Sequence, residues 1–289
     1  MSWQKKVIDE INIALNTSIT LINTSPVSGG DINNAYRFST SEGDFFVKTN
    51  SSSRYPKMFH KEALGLQLLS DSREITVPEV ISTGEEDDVS FLVMKFINSG
   101  VKSPGFWNVF AKKMAYLHKH TSDYFGLDHD NYIGSLYQSN TKHSTWSAFF
   151  ITERLEKQVI LARNNGKLGN DTIKRFEHFY KKIDEIFPVE PPALLHGDLW
   201  GGNYMVNEKG NPVIIDPAVY YGHREMDLGM SQLFGGFDPE FYDIYNQHHP
   251  LENNWQKRMD YCNLYPLMVH VNLFGGGYLN SVKSILNQF

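Results

Sequence analysis

The hydrophobic pattern changes period near residue 97. Before it, WQKKVIDEINIAL carries apolar residues at Val7, Ile8, Ile11 and Leu15, a helical spacing. A β-rich stretch follows: SITLINTSPVSGG, then NNAYRFST, then FFVKTN after the turn SEGD. PKMFHKEALGLQLLS opens on Pro56 and is apolar at Met58, Phe59, Ala63, Leu66 and Leu69, which predicts a helix bearing Glu62. VPEVISTG and VSFLVMKFI flank the acidic turn EEDD and read as a hairpin. Residues 1–97 are therefore expected to form a small sheet with an inserted helix.

The segment INSGVKSPG, rich in Gly, Ser and Pro, reads as a linker. Beyond it the period is helical in WNVFAKKMAYLHKH, TWSAFFITERLEKQVILARNNG and DTIKRFEHFYKKIDEIF, and again from about residue 225 onward. Two short strands, NYMVN and PVIID around the turn EKGN, interrupt this pattern. No internal repeat or low-complexity tract occurs. The expectation is an α+β chain of two lobes, 1–97 and 98–289, with a hinge at Met94 to Ile97.

Composition narrows the class. A chain of 289 residues, 41% hydrophobic and 21% charged, is a soluble globular protein with material for a substantial core. Its one cysteine, Cys262, excludes an intrachain disulfide and a Cys-based zinc site, and fits a reducing cytoplasm. The N-terminus lacks an apolar h-region and no run approaches the ~18 apolar residues of a membrane span, so signal-peptide secretion and membrane insertion are not expected. Net charge is −6 with no long Lys/Arg block, which argues against nucleic acid. The charge is local: Glu190 to Asp243 holds nine acids against Lys209 and Arg224, a net of −7, leaving the rest at +1. Such a window suits metal ions or cationic ligands.

Within that window lies LLHGDLWGGNYMV, followed by PVIIDP. Phosphoryl transfer needs a base for a hydroxyl proton, oxygens for magnesium, and a cation on the nucleotide phosphates. His196-Gly197-Asp198 with Asn203 five residues after the acid has the spacing of the loop H-R-D-x-x-x-x-N, with Gly in place of Arg. Asp216 ends an apolar strand, where an unpaired buried carboxylate costs several kcal/mol, so a metal is expected beside it. Asn203 offers an amide oxygen to the same ion. Upstream, Lys48 in FFVKTN and Glu62 on the next helix stand in the order of a Lys–Glu pair that places nucleotide phosphates. Singly, a strand lysine is an edge residue and a helix glutamate a surface one; together, ahead of the HGD loop, they mean more. Gly29 and Gly30 in SGGDINNAYRF allow close backbone approach to phosphates, or else form a plain hairpin. No Walker A sequence occurs.

HGDLWGGN and IIDPAVYYGHREMDLGMSQLFGGF closely resemble the fructosamine kinase family, in the aminoglycoside-phosphotransferase-like branch of the protein-kinase-like fold. SFLVMKFI and VPEVISTG are similar too, and the resemblance spans nearly the whole chain. HGDxxxxN with a later acid is common to many small-molecule kinases; WGGN, YGHRE and FGGF are more particular. The resemblance implies an ATP- and Mg²⁺-dependent kinase with Asp198 as base, Asn203 and Asp216 as Mg²⁺ ligands, Lys48 and Glu62 on the ATP phosphates, and Met94 and Phe96 at the nucleotide hinge. It implies a ketosamine acceptor, ribulosamine or fructosamine, free or as glycated lysine on a protein, with no obligate protein partner. An aminoglycoside- or choline-type phosphotransferase and a non-catalytic nucleotide-binding pseudokinase are the alternatives. Trp200 either walls the acceptor pocket or packs in the core. Asp227 is expected to cap its helix or brace the catalytic loop, and His118, His120, His248 and His249 to be surface histidines.

Overall fold

The computed structural model describes residues 2–28 and 32–288 and divides into two compact units. The first joins Met1–Phe106 to Met205–Asp216, and the second joins Trp107–Tyr204 to Pro217–Phe289.

In the first unit, helix α1 (Trp3–Leu15) is capped by the Ser2 side chain, which accepts from Lys5 N, and ends at Asn16 in the left-handed region. Strands β1 (Leu21–Pro26), β2 (Asn34–Thr40) and β3 (Gly43–Ser51) precede α2 (Met58–Asp71), and β4 (Val80–Glu86) and β5 (Val89–Lys95) follow it. They form one antiparallel sheet in the order β1-β2-β3-β5-β4. Alternation along β3 and β5 sends Phe45, Val47, Phe91 and Val93 to one face, where Val7 and Ile11 of α1 cover them. Leu92 and Met94 point to the other face, against Phe59 and Leu66 of α2. Lys48 lies opposite Leu92 in the register and so shares the α2 face. The period of two thus delivers a buried lysine to the helix that bears Glu62.

The hairpin of Tyr204–Val206 and Pro212–Ile214 joins this unit from far along the chain. Gly100 N donates to Val206 O at 2.8 Å and Ile214 N to Thr76 O at 3.1 Å. These main-chain bonds carry Asp216 to the sheet.

The second unit is mainly helical: α3 (Phe106–Leu117), α4 (Trp146–Phe149), α5 (Glu156–Asn164), α6 (Asn170–Tyr180), α7 (Ile183–Ile186), α8 (Glu225–Leu233), α9 (Pro239–His248), α10 (Trp255–Cys262), α11 (Leu264–Phe274) and α12 (Tyr278–Leu286). Two features depart from the pattern reading. Short strand pairs form at Asn131–Ile133 with Leu136–Gln138 and at Ala193–Leu195 with Tyr220–Gly222; three residues are too few to show a period. The expected long helix from Thr145 contains a π-helical stretch, Phe150–Leu155, between α4 and α5. Its wider turn accompanies a fully buried Arg154, whose guanidinium lies over the rings of Tyr220 (4.0 Å) and Phe149 (4.5 Å).

YGHRE proves to be a structural knot. Arg224 makes a bidentate pair with Glu190 (2.8 and 2.6 Å) and binds the carbonyls of His249 and Pro250. Arg258 pairs likewise with the fully buried Glu225 (2.8 and 2.6 Å). Both guanidiniums use several donors, the condition under which a buried ion pair offsets its desolvation. Burial, with Arg224 and His118 nearby, pushes His249 down to about 4, and burial lowers the enclosed His223 as well. Both titrate near 6.5 when unfolded, so the unfolded chain binds more protons below that pH. Stability is therefore expected to be complete above pH 6.5 and to fall as pH drops toward 4. Melting temperatures across that interval should decline less steeply for His249→Gln than for the parent; equal slopes would remove His249 as a cause.

Candidate active site

Lys48 Nζ lies 2.7 Å from Glu62 Oε1 and 3.1 Å from Asp216 Oδ1. One ammonium thus serves two carboxylates, and the group is left with net negative charge. Burial alone would lower the Lys48 pKa, but Asp216 and Glu62 together outweigh it and hold the ammonium well above its ordinary value. The lysine and glutamate side chains are almost enclosed, whereas that of Asp216 is 45% exposed. This corrects the expectation of a buried acid: the strand ends at Ile214, and Asp216 turns outward with φ +54°. Its Oδ2 has no hydrogen-bond partner among the described residues, so an oxygen is available to a hard cation.

The hinge residues belong to the same unit. Met94 is buried within β5, paired with Phe46 and Val80. Lys95 N donates to Glu79 O and Phe96 N to Asp44 O, while the half-buried Phe96 ring lies under the Arg37 guanidinium. Ile97 is the first residue past β5 whose N–H is uncommitted among the described residues. Gly29 and Gly30 lie outside the described residues.

In the second unit the loop 196–203 leaves the strand Ala193–Leu195. His196 is wholly buried and its carbonyl accepts from Ala218 N at 2.9 Å. Gly197 adopts φ +83°, and a Cβ there would sit 2.1 Å from Ala218 O, so no other residue fits where the related motif has Arg. Asp198 is half-buried. Asn203 Nδ2 donates to Asp198 O at 2.8 Å and to Asp198 Oδ2 at 2.9 Å. This fixes the carboxylate and leaves Asn203 Oδ1 without a hydrogen-bond partner among the described residues.

Asp227 braces the loop rather than merely capping α8. Its Oδ2 accepts from His196 N at 2.7 Å and its Oδ1 from Gly197 N at 2.9 Å. Behind it, His118 places Nε2 3.2 Å from Asp227 Oδ2 and Nδ1 2.7 Å from Tyr245 Oη. The expectation of a surface histidine is wrong for His118, which is 2% exposed. Helical spacing puts it on the inner face of the chain leaving α3, where Asp227 gives it a partner. His120, His248 and His249 are half-buried.

WGGN and FGGF meet at their glycines. A Cβ on Gly201 would lie 2.8 Å from Gly235 O, and one on Gly236 would lie 2.9 Å from Gly201 Cα. This close approach sets Trp200, 36% exposed, edge-on against Phe234 at 5.8 Å. Trp200 is therefore a surface aromatic of the loop 196–203 and not a core residue.

Asp198 and Gly197 also line a recess with Ile133, Met226, Tyr265 and His270. Tyr265 donates its hydroxyl to Gln138 at 2.6 Å, and Tyr220 and Tyr265 both rest on Arg154. Sequence reasoning missed His270 and Arg154. Each left a signal: a histidine in the mostly apolar LYPLMVHVNLF, and charges in the mostly apolar FFITERL.

A carboxylate fixed by an asparagine five residues on, and a separate Lys–Glu–Asp set on a five-stranded sheet, are the parts of a protein-kinase-like phosphotransferase. The aminoglycoside phosphotransferase APH(4)-Ia, solved with AMP-PNP and hygromycin B, shares the fold at a TM-score of 0.67 and 12% identity, covering 99% of this chain and 98% of that one. The fructosamine kinase family model matches residues 2–289, and the chain belongs to that family. The chloroplastic protein-ribulosamine 3-kinase of Arabidopsis thaliana is 42% identical over 279 residues, 94% of this chain and 83% of its own. The crystal structure of a protein provisionally assigned as a fructosamine-3-kinase, from Haemophilus somnus 129PT, superposes with a TM-score of 0.90 at 28% identity, covering 99% and 97% of the two chains. Membership in a kinase family makes the protein a phosphotransferase and implies ATP as donor. Among the described residues, no helix is long and apolar enough to cross a membrane.

Proposed function

We propose that this protein transfers the γ-phosphoryl group of ATP to a sugar hydroxyl, the 3-hydroxyl, of a ketosamine such as ribulosamine or fructosamine, free or on a protein lysine. The observation that carries the reading is Asp198: its carboxylate is oriented by Asn203 and lines the recess. The name of the Arabidopsis relative supports the acceptor. The acceptor hydroxyl gives its proton to Asp198 as its oxygen bonds to the γ-phosphorus and the bond to ADP breaks. Lys48, held by Glu62, supplies the cation for the phosphates. Met94 and Phe96 back the nucleotide's base, with the Ile97 N–H as its donor. Trp200 offers its exposed face to the sugar.

Taken singly, Asn203 Oδ1 in the second unit and Asp216 Oδ2 in the first are each an uncommitted oxygen of the kind Mg²⁺ takes. Bound there, Mg²⁺ would neutralise phosphate charge. Asp216→Asn is accordingly expected to raise the magnesium concentration needed for half-maximal turnover by about tenfold or more. Lys48→Met should instead impair phosphate placement with the magnesium requirement retained. An unshifted magnesium titration for Asp216→Asn would take Asp216 out of the metal site.

Acidity alone does not choose the acceptor. Asp216 pairs with Lys48 and Glu225 with Arg258, both cations outside the acidic window, so part of its charge is already neutralised. Offering ribulosamine, fructosamine, free ribose, choline and an aminoglycoside with Mg·ATP, and weighing the products by mass spectrometry, tests the reading. Phosphorylated ketosamine is the expected product. Turnover of choline or the aminoglycoside with both ketosamines untouched would overturn the proposal, and nucleotide binding without any turnover would indicate a pseudokinase.

A further inference from the structure

We propose that His270 reads the acceptor: its Nε2 accepts a hydrogen bond from a sugar hydroxyl other than the one phosphorylated, and so sets which polyols are accepted beside Asp198. The inference rests on the ketosamine reading and deepens it.

The recess beside Asp198 is otherwise poor in polar groups. Its walls are Ile133, Met226, Met230, Pro266 and Val269, with two tyrosines that are almost wholly buried. The Tyr265 hydroxyl is spent on Gln138, and the Tyr220 ring on Arg154. A sugar hydroxyl turned toward these walls would lose its water, and left unpaired it would weaken binding. His270 supplies what is missing. Nδ1 lies 2.8 Å from Pro266 O, a carbonyl that can only accept, so the proton sits on Nδ1 and Nε2 carries the lone pair. That Nε2 has no partner among the described residues. The ring is held by Phe234 at 4.7 Å, Tyr278 at 5.0 Å and Phe274 at 5.5 Å, which fixes its orientation. Burial lowers its pKa, which keeps the ring neutral and accepting near pH 7. Phe234 also touches Trp200, so the reader and the exposed aromatic of the catalytic loop share one support.

The test compares a ketosamine with its singly deoxygenated analogues on the parent enzyme, on His270→Phe and on His270→Gln. The parent should disfavour one deoxy analogue by about 10- to 100-fold in kcat/KM, the value of one neutral hydrogen bond in a dry site. His270→Phe keeps an aromatic ring but no acceptor. It should raise the ketosamine KM by a similar factor, leave the ATP KM unchanged, and lose the discrimination against that analogue. His270→Gln restores an acceptor near Nε2 and should recover part of both. A ketosamine KM unchanged in His270→Phe, or no deoxy analogue disfavoured by the parent, would overturn the assignment. The parent alone suffices for the second result if the variants fail to fold. Absence of any ketosamine turnover by the parent would instead sink the substrate reading, and this assignment with it.

Discussion

Asp198→Asn is expected to retain the fold and ATP binding while turnover falls by about 10²–10⁴-fold, the range lost when a positioned general base is removed. Asparagine has nearly the same shape, and its Oδ1 can still accept from Asn203 Nδ2, which now lies 2.9 Å from Asp198 Oδ2. The loop therefore keeps its support, and the change falls on proton acceptance alone. Single-turnover measurements with Mg·ATP and ketosamine should show a slowed phosphoryl-transfer step, with nucleotide affinity by calorimetry close to that of the parent. A variant with near-parental kcat would show that the base lies elsewhere; one with greatly weakened ATP binding would show that Asp198 acts on the nucleotide.

Asp227→Ala should destabilise the second unit while leaving the reacting groups intact. It removes two charge-assisted bonds to backbone amides in an almost water-free environment, and it leaves the amides of His196 and Gly197 and the ring of His118 without their partner. Stranding such buried groups costs roughly 3–5 kcal/mol. A chain of this size should melt ~6–20 °C lower at that cost. Because the two amides precede Asp198 directly, kcat should fall along with stability. Asp227→Asn is expected to be nearly as harmful: an amide has one accepting oxygen, and its NH₂ would face one of the N–H groups. Thermal denaturation followed by circular dichroism, beside kcat at a temperature where each variant is folded, checks both effects. A melting temperature within about 2 °C of the parent, a loss below ~1 kcal/mol, would mean that the loop holds itself.

Much of the first unit was legible because its information is local. A period of two in FFVKTN and VSFLVMKFI and a helical period in PKMFHKEALGLQLLS put Lys48 and Glu62 on facing surfaces, and the structure closes the pair at 2.7 Å. The HGD spacing likewise marked Asp198 and Asn203, since five residues of loop are short enough for one side chain to reach the other. What the sequence by itself determined is the set of elements with regular periods and the chemistry placed on them.

Only the tertiary structure decided the rest, because it depends on partners far apart in the chain. Asp227 meets amides some thirty residues earlier, and His118 finds its carboxylate 109 positions away. A histidine's burial is set by that encounter and not by its neighbours in sequence. Asp216 followed an apolar run that suggests burial, yet the chain turns at a positive φ and meets Lys48 with its carboxylate half in solvent. WGGN and FGGF stood out in the sequence without a reason; their glycines allow two backbones to touch, a constraint with no periodic signature. Arg154 and His270 are polar residues in largely apolar stretches, and a local pattern cannot tell a satisfied core group from a wall of the recess. Packing makes that distinction: it surrounds the Arg154 guanidinium with rings and carbonyl oxygens, and leaves one nitrogen of His270 without a partner among the described residues.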